Sequence, residues 1–399
     1  MNVLLLEGVN DSAVDLFAQA GFDAITRLPG ALDGEALKTA LAETDLLGIR
    51  SRTKMTAAMI AAAPRLLGIG CFSVGVNQVD VAAARRAGAP VFNAPFSNTR
   101  SVAELTIGEI VMLLRGVFAR SSSAHAGGWD KTAEGAFEVR GKTLGLVGYG
   151  NIGSQVGDLA EQMGMRVLYF DIVDKLRRGN AEPVASLEAL LSCADVVSLH
   201  TPETPSTRHL IDAARMAAMK KGAYLINNSR GSVVDIAALA AALASGRLAG
   251  AAVDVFPVEP SSTRDRFVSP LQGAPNVILT PHIGGSTQEA QERIGAEVAR
   301  KLIDYAVAGS TFGAVAFPQA QLPPRATGAR YAHIHANIPG VLGRVNQCFA
   351  DRAMNIAAQY LQTDGDIGYV VVDVDGPDDP GLAASLAAVA GTIRSRVLR

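Results

Sequence analysis

The sequence is poor in cysteine, in aromatic side chains and in excess charge of either sign. It has 3 cysteines, 1 tryptophan and 5% aromatic residues among 399 positions, with a formal net charge of −2. The cysteines (Cys71, Cys193 and Cys348) are widely spaced, so they predict neither a disulfide framework nor a metal site, and they fit a reducing cytoplasm. The near-neutral charge leaves no electrostatic footprint for nucleic acid or an anionic membrane.

Long apolar runs are absent as well. The longest hydrophobic stretches are too short to cross a bilayer, and residues 1–7 are typical of a strand rather than of a signal peptide. The chain is 49% hydrophobic and 19% charged, which is typical of a globular α/β enzyme. Its length predicts two or three domains, because single cores rarely grow this large.

Short apolar strands alternate with amphipathic helices from residue 3 to about residue 280. This alternation predicts parallel sheets with right-handed crossovers, in two doubly wound domains of Rossmann or flavodoxin type. Two such units in series also predict a ligand cleft between them. The first unit has predicted strands at 3–7, 45–49, 66–70 and 90–92, and helices at 11–20, 33–42, 56–63 and 79–87. A long predicted helix at 102–118 leads to strands at 143–147, 166–170, 195–199, 223–227, 250–253 and 277–279.

A predicted helix at 287–306 returns the chain to the first domain, and Gly284-Gly285 before it is either a hinge or a plain loop. A proline-containing linker precedes a strand–helix–strand–strand–helix–strand pattern, which indicates a ferredoxin-like βαββαβ module. The predicted domains are 1–97 completed by about 287–310, 98–286, a linker at 311–326, and the module at 327–399.

A glycine-rich turn lies between two apolar strands of the second unit. Gly148, Gly150 and Gly153 have the Gly-x-Gly-x-x-Gly spacing and open a helical stretch. The first glycine permits a tight turn, the second lets the backbone approach a pyrophosphate, and the third lets helix and strand pack closely. Asp171 ends the next strand, where an acid accepts hydrogen bonds from the adenosine ribose and repels a 2′-phosphate. The pattern predicts NAD rather than NADP, with a merely structural turn as the alternative.

Charged side chains follow successive strands of the same unit. Arg230, Glu259 and His282 each come after a predicted strand. A guanidinium can hold a carboxylate through two parallel hydrogen bonds, and an imidazole can take the proton of an alcohol. Glu259 could pair with His282 and raise its pKa, and Asp254 could face the nicotinamide end of the cofactor. Each residue alone is more typical of a surface, loop or structural position, but their shared position at the strand ends favours catalysis.

Other segments extend this pattern, namely Arg50-Ser51-Arg52-Thr53 and residues 93–104 and 355–362. Together with the glycine turn and the three charged residues, they resemble the D-isomer-specific 2-hydroxyacid dehydrogenases over essentially the whole chain. The C-terminal module resembles an ACT domain, which binds small regulatory molecules. The resemblance is strongest to the short, ACT-containing bacterial members that oxidise D-3-phosphoglycerate.

This resemblance implies NAD-dependent oxidation of D-3-phosphoglycerate to 3-phosphohydroxypyruvate, the first step of L-serine biosynthesis, with L-serine as feedback inhibitor. It also allows reduction of 2-oxoglutarate. His282 is the implied acid–base residue, Glu259 orients it, and Arg230 binds the substrate carboxylate. The implied substrate-binding residues are Arg50, Arg52, Ser73, Gly75, Asn98, Arg230 and His282. The implied cofactor-binding residues are Gly148, Gly150, Asn151, Ile152, Gly153, Asp171, Asn228, Ser229, Arg230, Asp254, His282, Gly284 and Gly285.

The resemblance also concerns assembly and regulation. His335, Asn337 and Asn355 are the implied effector residues, the last of them contributed by a neighbouring module. Trp129 matches a tryptophan that reaches into a neighbouring subunit, so a homo-oligomer is expected, with a tetramer as the first expectation.

Three alternatives stay open, one of which is that the C-terminal module binds a ligand but has lost feedback. The chain could be another reductase of the class, acting on hydroxypyruvate, glyoxylate or 2-oxoglutarate, which would not need Arg50 and Arg52, the pair that the resemblance implies holds the substrate's phosphate. It could also be a non-enzymatic NAD-sensing interaction protein, since such proteins can retain the catalytic residues. Asn228 stands where relatives often have alanine, which affects only local detail.

Overall fold

A computed structural model describes residues 1–260, 265–323 and 328–398. The chain divides into two compact units, one formed by Met1–Ser97 with Gln291–Arg399 and the other by Asn98–Ala290. The C-terminal module therefore shares a unit with the N-terminal domain. None of the helices in the described ranges combines the length and apolar character that a membrane crossing requires.

The strands are β1 (Asn2–Leu5), β2 (Ala24–Arg27), β3 (Leu46–Ile49), β4 (Gly68–Cys71), β5 (Val91–Phe92), β6 (Thr143–Val147), β7 (Arg166–Phe170), β8 (Glu182–Pro183), β9 (Val196–Leu199), β10 (Ala223–Asn227), β11 (Leu248–Val253), β12 (Val277–Leu279), β13 (Ala314–Val315), β14 (Ala329–Ala336), β15 (Ile356–Asp364), β16 (Ile367–Val374) and β17 (Thr392–Leu398). The α-helices are α1 (Asp11–Gln19), α2 (Gly34–Leu41), α3 (Ala57–Ala61), α4 (Val81–Arg86), α5 (Thr99–Arg115), α6 (Val117–His125), α7 (Asn151–Gln162), α8 (Leu187–Cys193), α9 (Ala213–Ala218), α10 (Ile236–Ala244), α11 (Gln288–Ala308), α12 (Val341–Ala350) and α13 (Pro380–Ala388). A short 3₁₀ turn spans Gly231–Val233.

The first sheet has the order β13-β5-β4-β3-β1-β2 and is parallel except for β13, which pairs antiparallel with β5. Strands β3 and β4 are buried along their whole length, as expected for a sheet covered on both faces. Side chains cap several of the covering helices, because Asn10, Thr56 and Asp80 accept hydrogen bonds from backbone N–H groups in the first turns of α1, α3 and α4.

The second sheet has seven strands in the order β12-β11-β10-β9-β6-β7-β8, and their pairings are parallel. The strand order reverses between β6 and β9, which is where open α/β sheets leave a crevice at their carboxyl edge. Both parallel sheets confirm the predicted α/β class. The glycine-rich turn follows β6 directly, at this reversal point.

The third sheet is antiparallel, in the order β15-β16-β14-β17, and α12 and α13 complete the predicted βαββαβ module. Val345 and Phe349 of α12 pack with Leu382 and Leu386 of α13 over Val370 of β16. This cluster is the module's own core.

The structure differs from the sequence predictions in several places, and the sheet-edge strands β2 and β8 were not predicted at all. The single helix predicted at 102–118 is wrong, because Gly116 adopts φ 58° and ends α5 before α6 begins. The segment predicted as a linker is packed in its first part. It contributes β13, and Thr311 is buried, donating from Oγ1 to Pro318 O (2.7 Å) and accepting from Ala320 N (2.8 Å). Residues 324–326 of that segment, and residue 327 of the module, lie outside the described residues.

Candidate active site

Two glycines of the glycine-rich turn must lack a side chain, each for a different steric reason. Gly148 has φ 91°, and a Cβ there would lie 2.6 Å from His200 O. A Cβ on Gly153 would lie 2.2 Å from Gly148 O, so only glycine lets α7 approach β6 this closely. A Cβ on Gly150 would meet no described atom within 4 Å, so that face of the turn is open.

This open face fits a dinucleotide. The first N–H groups of α7, which begins at Asn151, lie directly after Gly150 and are suited to a pyrophosphate. Asp171 adjoins the turn, since its Oδ2 accepts from Tyr149 N (2.8 Å) and its Oδ1 from Val173 N (3.0 Å). The residues present therefore fit NAD, with Asn151 and Ile152 at the helix start and the Asp171 carboxylate beside the turn.

His282 and Glu259 form a hydrogen-bonded pair. His282 Nδ1 lies 2.9 Å from Glu259 Oε2 and 3.1 Å from Oε1, and both side chains are partly exposed. Because Nδ1 faces a carboxylate, the proton of the neutral ring lies on Nδ1 and Nε2 is free to accept another. His282 adopts φ 55°, a left-handed conformation that is uncommon for histidine and found at functional sites.

The electrostatics of the pair favour a histidine that can be protonated reversibly. The hydrogen bond that His282 donates to Glu259 raises the pKa of His282 above its ordinary value, although burial and the nearby Arg230 oppose this. Burial opposes ionisation of Glu259, but His282, the Phe256 N–H and Arg230 outweigh it and lower the pKa of that carboxyl. Glu259 is therefore ionised at neutral pH and stabilises the imidazolium.

Asp254 holds the loop that carries His282. Its Oδ1 accepts from Thr280 Oγ1 (2.6 Å) and Ile283 N (2.8 Å), and its Oδ2 accepts from Gly284 N (2.8 Å). The carboxylate is 1% exposed, so these bonds fix the loop from beneath. A Cβ on Gly284 would lie 3.1 Å from Asp254 Oδ2, so this glycine serves a close approach.

Gly285, like Gly284, lies too close to a neighbouring side chain to carry a Cβ without a shift. A Cβ there would lie 2.5 Å from Asn98 Nδ2, at the start of α5. Neither Gly284 nor Gly285 has a positive φ. The boundary between the two compact units falls later, within α11. A hinge at these glycines stays a prediction.

A tight contact between two loops brings Arg230 close to the His282–Glu259 pair. A Cβ on Gly231 would lie 2.0 Å from the carbonyl carbon of Phe256, so the loop after β10 can touch the loop after β11 only with glycine there. Arg230 O accepts from Asn227 Nδ2 (3.0 Å), and its Nη1 donates to Ser229 O (2.7 Å). The structure thus brings together the three residues predicted as catalytic, all at the carboxyl edge of the second sheet.

Asn228 is anchored from behind by a helix. Its Nδ2 donates to Glu109 Oε2 (2.7 Å) and Thr106 Oγ1 (3.0 Å) of α5, and Glu109 is fully buried. Burial, with a contribution from Asp254, raises the pKa of Glu109 to about 7. The Asn228 side chain therefore anchors the loop through its amide nitrogen, while its Oδ1 has no hydrogen-bond partner among the described residues.

The predicted phosphate and substrate residues of the first unit lie at one edge of its sheet. Arg50 and Arg52 follow β3, while Ser73 and Gly75 follow β4, and Ser73 Oγ donates to Gly75 O (2.7 Å). These strands are parallel neighbours, so their carboxyl ends lie side by side. Asn98 belongs to the second unit.

The predicted effector residues are not brought together within one chain. His335 is 3% exposed and its Nδ1 lies 3.3 Å from His333 Nδ1, while burial lowers the pKa of both rings. Asn337 donates from Nδ2 to Gly365 O (2.9 Å), at the start of β16. Asn355 donates to Asp375 Oδ2 (2.9 Å), beyond the other end of that strand, whose length alone is roughly 23 Å at the rise of a β-strand.

Trp129 is 88% exposed. Further apolar side chains near it in the sequence are also exposed, namely Val117, Phe118 and Phe137.

The sequence matches the family model described as D-isomer specific 2-hydroxyacid dehydrogenase, NAD binding domain, over residues 107–284. It also matches the AHAS small subunit-like ACT domain over residues 332–393. These two matches cover the second parallel sheet and most of the C-terminal module.

Full-length relatives are similar along the whole chain. D-3-phosphoglycerate dehydrogenase of Haemophilus influenzae is 56% identical over 395 residues, which cover 99% of this chain and 96% of that protein. The enzyme of the same name from Escherichia coli K12 is 55% identical over 397 residues, covering 99% and 97%. Among solved structures, D-lactate dehydrogenase from Aquifex aeolicus, complexed with NAD and lactic acid, is similar with a TM-score of 0.66 and 30% identity, over 76% of this chain and 95% of that one.

Proposed function

The chain belongs to the D-3-phosphoglycerate dehydrogenases of the D-isomer-specific 2-hydroxyacid dehydrogenase family, and from this premise we propose that it oxidises D-3-phosphoglycerate to 3-phosphohydroxypyruvate with NAD. The observation that carries the proposal is the His282–Glu259 pair, which lies beside Arg230 at the carboxyl edge of an NAD-type sheet. This arrangement suits removal of a proton from a 2-hydroxy acid.

The chemistry follows from these side chains. NAD supplies a hydride acceptor when bound. His282 Nε2 takes the proton of the C2 hydroxyl, and Glu259 stabilises the imidazolium through Nδ1. Arg230 holds the C1 carboxylate through its guanidinium, which fixes the orientation of the hydroxyl. In the reverse direction, the imidazolium returns the proton to the carbonyl oxygen.

Arg50 and Arg52 favour a substrate that carries a phosphate group. A phosphate dianion needs fixed cations, and two guanidiniums at the end of one strand supply them. L-serine is the proposed effector, bound by His335 and Asn337 of one module and Asn355 of another. Because those residues are separated within one chain, the effector site requires a homo-oligomer, to which Trp129 contributes a contact. A tetramer in a reducing cytoplasm is the assembly and location we propose.

The test follows NADH absorbance with a panel of 2-hydroxy acids, with and without L-serine. We expect D-3-phosphoglycerate to give the highest kcat/KM, and serine to reduce the rate. A preference for an unphosphorylated acid would contradict the substrate assignment. Absence of NADH formation with every acid would favour the non-enzymatic alternative.

A further inference from the structure

We propose that Glu7 is a positioning residue for the substrate phosphate, because its buried carboxylate holds the loop that carries Arg50 and Arg52. This inference rests on the proposed function and extends it to a residue with no direct part in the chemistry. It concerns only the first compact unit.

The sheet brings Glu7 to this loop. β1 and β3 are parallel neighbours, with Leu5 opposite Gly48, so the residues that follow them lie at the same edge. Glu7 has φ 64°, a left-handed conformation that costs energy in a residue with a side chain. Two backbone bonds support it, from Glu7 N to Gly30 O (2.9 Å) and from Gly8 N to Leu28 O (3.0 Å).

One carboxylate binds three backbone N–H groups of the loop. Oε1 accepts from Thr53 N (2.8 Å) and Arg50 N (3.2 Å), and Oε2 accepts from Arg52 N (2.9 Å). The Arg52 side chain is 47% exposed whereas that of Glu7 is 2% exposed. The anion is therefore buried beneath the loop, and the partly exposed Arg52 guanidinium stays close to it, with Nε 3.6 Å from Glu7 Oε2.

These contacts keep the carboxylate ionised. Burial opposes ionisation of Glu7, but the N–H groups of Thr53, Arg52 and Arg50 outweigh it and lower the pKa of the carboxyl. A negative charge next to a phosphate site is unfavourable by charge alone. The Glu7 carboxylate is explained if the loop geometry that it fixes contributes more to phosphate binding than its repulsion of the phosphate costs.

Gln78 holds the same loop from a second side. Its Nε2 donates to Arg50 O (2.6 Å) and to Ser73 Oγ (3.1 Å), and the residue is 6% exposed. Glu7 and Gln78 thus engage both the N–H and the C=O of Arg50. Gln78 also links this loop to Ser73, another predicted substrate-binding residue.

The experiment is Glu7→Gln in the full-length protein, which keeps the shape but removes the charge and one acceptor oxygen. We expect KM for D-3-phosphoglycerate to rise about 10-fold while kcat changes little, since binding rather than the chemical step is affected. KM for hydroxypyruvate in the reverse reaction should stay near wild type, because it has no phosphate. If charge alone mattered, Glu7→Gln would instead lower KM for the phosphorylated substrate.

Asp45→Asn is the matched control. Asp45 is also a buried carboxylate of this sheet and accepts from Asn2 N (2.7 Å), but at the amino end of β1. The Asp45→Asn substitution should lower the melting temperature without changing the KM for D-3-phosphoglycerate or the KM for hydroxypyruvate. Gln78→Met, which keeps the length but lacks the donor, should raise KM for D-3-phosphoglycerate as Glu7→Gln does, and it decides the matter if Glu7→Gln does not fold.

An unchanged or lower KM for D-3-phosphoglycerate in the folded variants would overturn the proposal. Equal losses with hydroxypyruvate would do the same, because they would indicate general damage. Direct calorimetric titration with D-3-phosphoglycerate in the absence of NAD measures the affinity for the substrate separately from the reaction. Wild-type binding without NADH formation would refute the proposed function while leaving Glu7 to be judged by the titration.

Discussion

Replacing Glu259 by glutamine tests whether this carboxylate stabilises the protonated His282. The Nδ1–Oε2 distance of 2.9 Å is that of a charge-assisted hydrogen bond, and such bonds contribute roughly 1.5–3 kcal/mol. The His282 side chain is 52% exposed, so solvent screening places the value near the lower end, about 1.5 kcal/mol. That corresponds to a loss of about 10-fold in kcat.

A second effect makes this loss a lower limit. A glutamine amide can donate its N–H to Nδ1, which leaves the ring proton on Nε2, the nitrogen that must accept the substrate proton. The variant should therefore lose at least about 10-fold in the rate of oxidation, and binding of NAD should stay unchanged.

The pH dependence gives an independent signature. Oxidation requires neutral His282, so kcat/KM should rise with pH through the pKa of this residue, which Glu259 raises above its ordinary value. Loss of Glu259 should move this rise to lower pH. For the reverse reaction, which requires the imidazolium, the fall in rate with increasing pH should move in the same direction.

The assay is NADH absorbance as a function of pH, with Glu182→Gln as control. Glu182 is an acid of the same unit that pairs with Arg166 at 2.8 Å on the surface, and its loss should affect neither rate nor profile. A Glu259→Gln enzyme whose pH profile coincides with that of the wild type would refute the assigned role of Glu259, whatever its kcat.

Three further predictions concern the same chain. His282→Ala should reduce turnover about 10²–10⁴-fold while NAD binding, measured by fluorescence titration, stays near wild type, because only the acid–base group is lost; near-normal turnover would show that another group moves the proton. Asp171→Ala should narrow the preference for NAD over NADP in steady-state kinetics, since a 2′-phosphate would no longer meet a carboxylate; equal use of both cofactors by the wild type would contradict this. Asn337→Ala should weaken inhibition by serine with little change in the uninhibited rate, and full sensitivity in that variant would place the effector elsewhere.

Much of the second sheet could be predicted because the pattern is local. The apolar strand before Gly148 and the spacing to Gly153 specify a turn that few other structures require. The proximity of Glu259 and His282 also follows from order along the chain, since they come after β11 and β12, which are neighbours in the sheet. The carboxyl ends of parallel neighbours lie side by side, so the proximity of Glu259 and His282 could be predicted from the sequence.

The supporting residues could not be recognised in the same way. Glu7 and Glu109 are single acids, and a single acid in a sequence is typical of the surface. Glu109 did carry one signal, because it lies at helical spacing from the buried residues Val102, Thr106 and Leu113 of α5. An acid in the apolar stripe of a helix indicates a buried partner, here Asn228. Glu7 carried no such signal, since its left-handed backbone and its three N–H donors come from tertiary structure.

The C-terminal module shows how such missed contacts change a functional interpretation. The pattern of strands and helices predicts a separate module, yet Ile334, Tyr369 and Leu398 pack in one apolar cluster with Tyr305 of α11 and Phe317. Burial of each large apolar side chain contributes about 1.5–3 kcal/mol. Removing the module would therefore expose part of the first unit's core, and loss of activity on truncation would reflect instability as well as regulation.

Point substitutions are consequently the better probe of regulation, and the contacts indicate where to make them. Arg85 of α4 donates to Asp364 Oδ2 (2.7 Å) and to Asp366 Oδ1 (2.9 Å), on either side of the β15–β16 turn. Asn337 binds the same turn through Gly365 O. A ligand that engages Asn337 must compete with this bond, and the turn it would release is the one held by Arg85 from the N-terminal domain. An effector bound by Asn337 would thus act on a three-residue turn that Arg85 already bonds to the N-terminal domain.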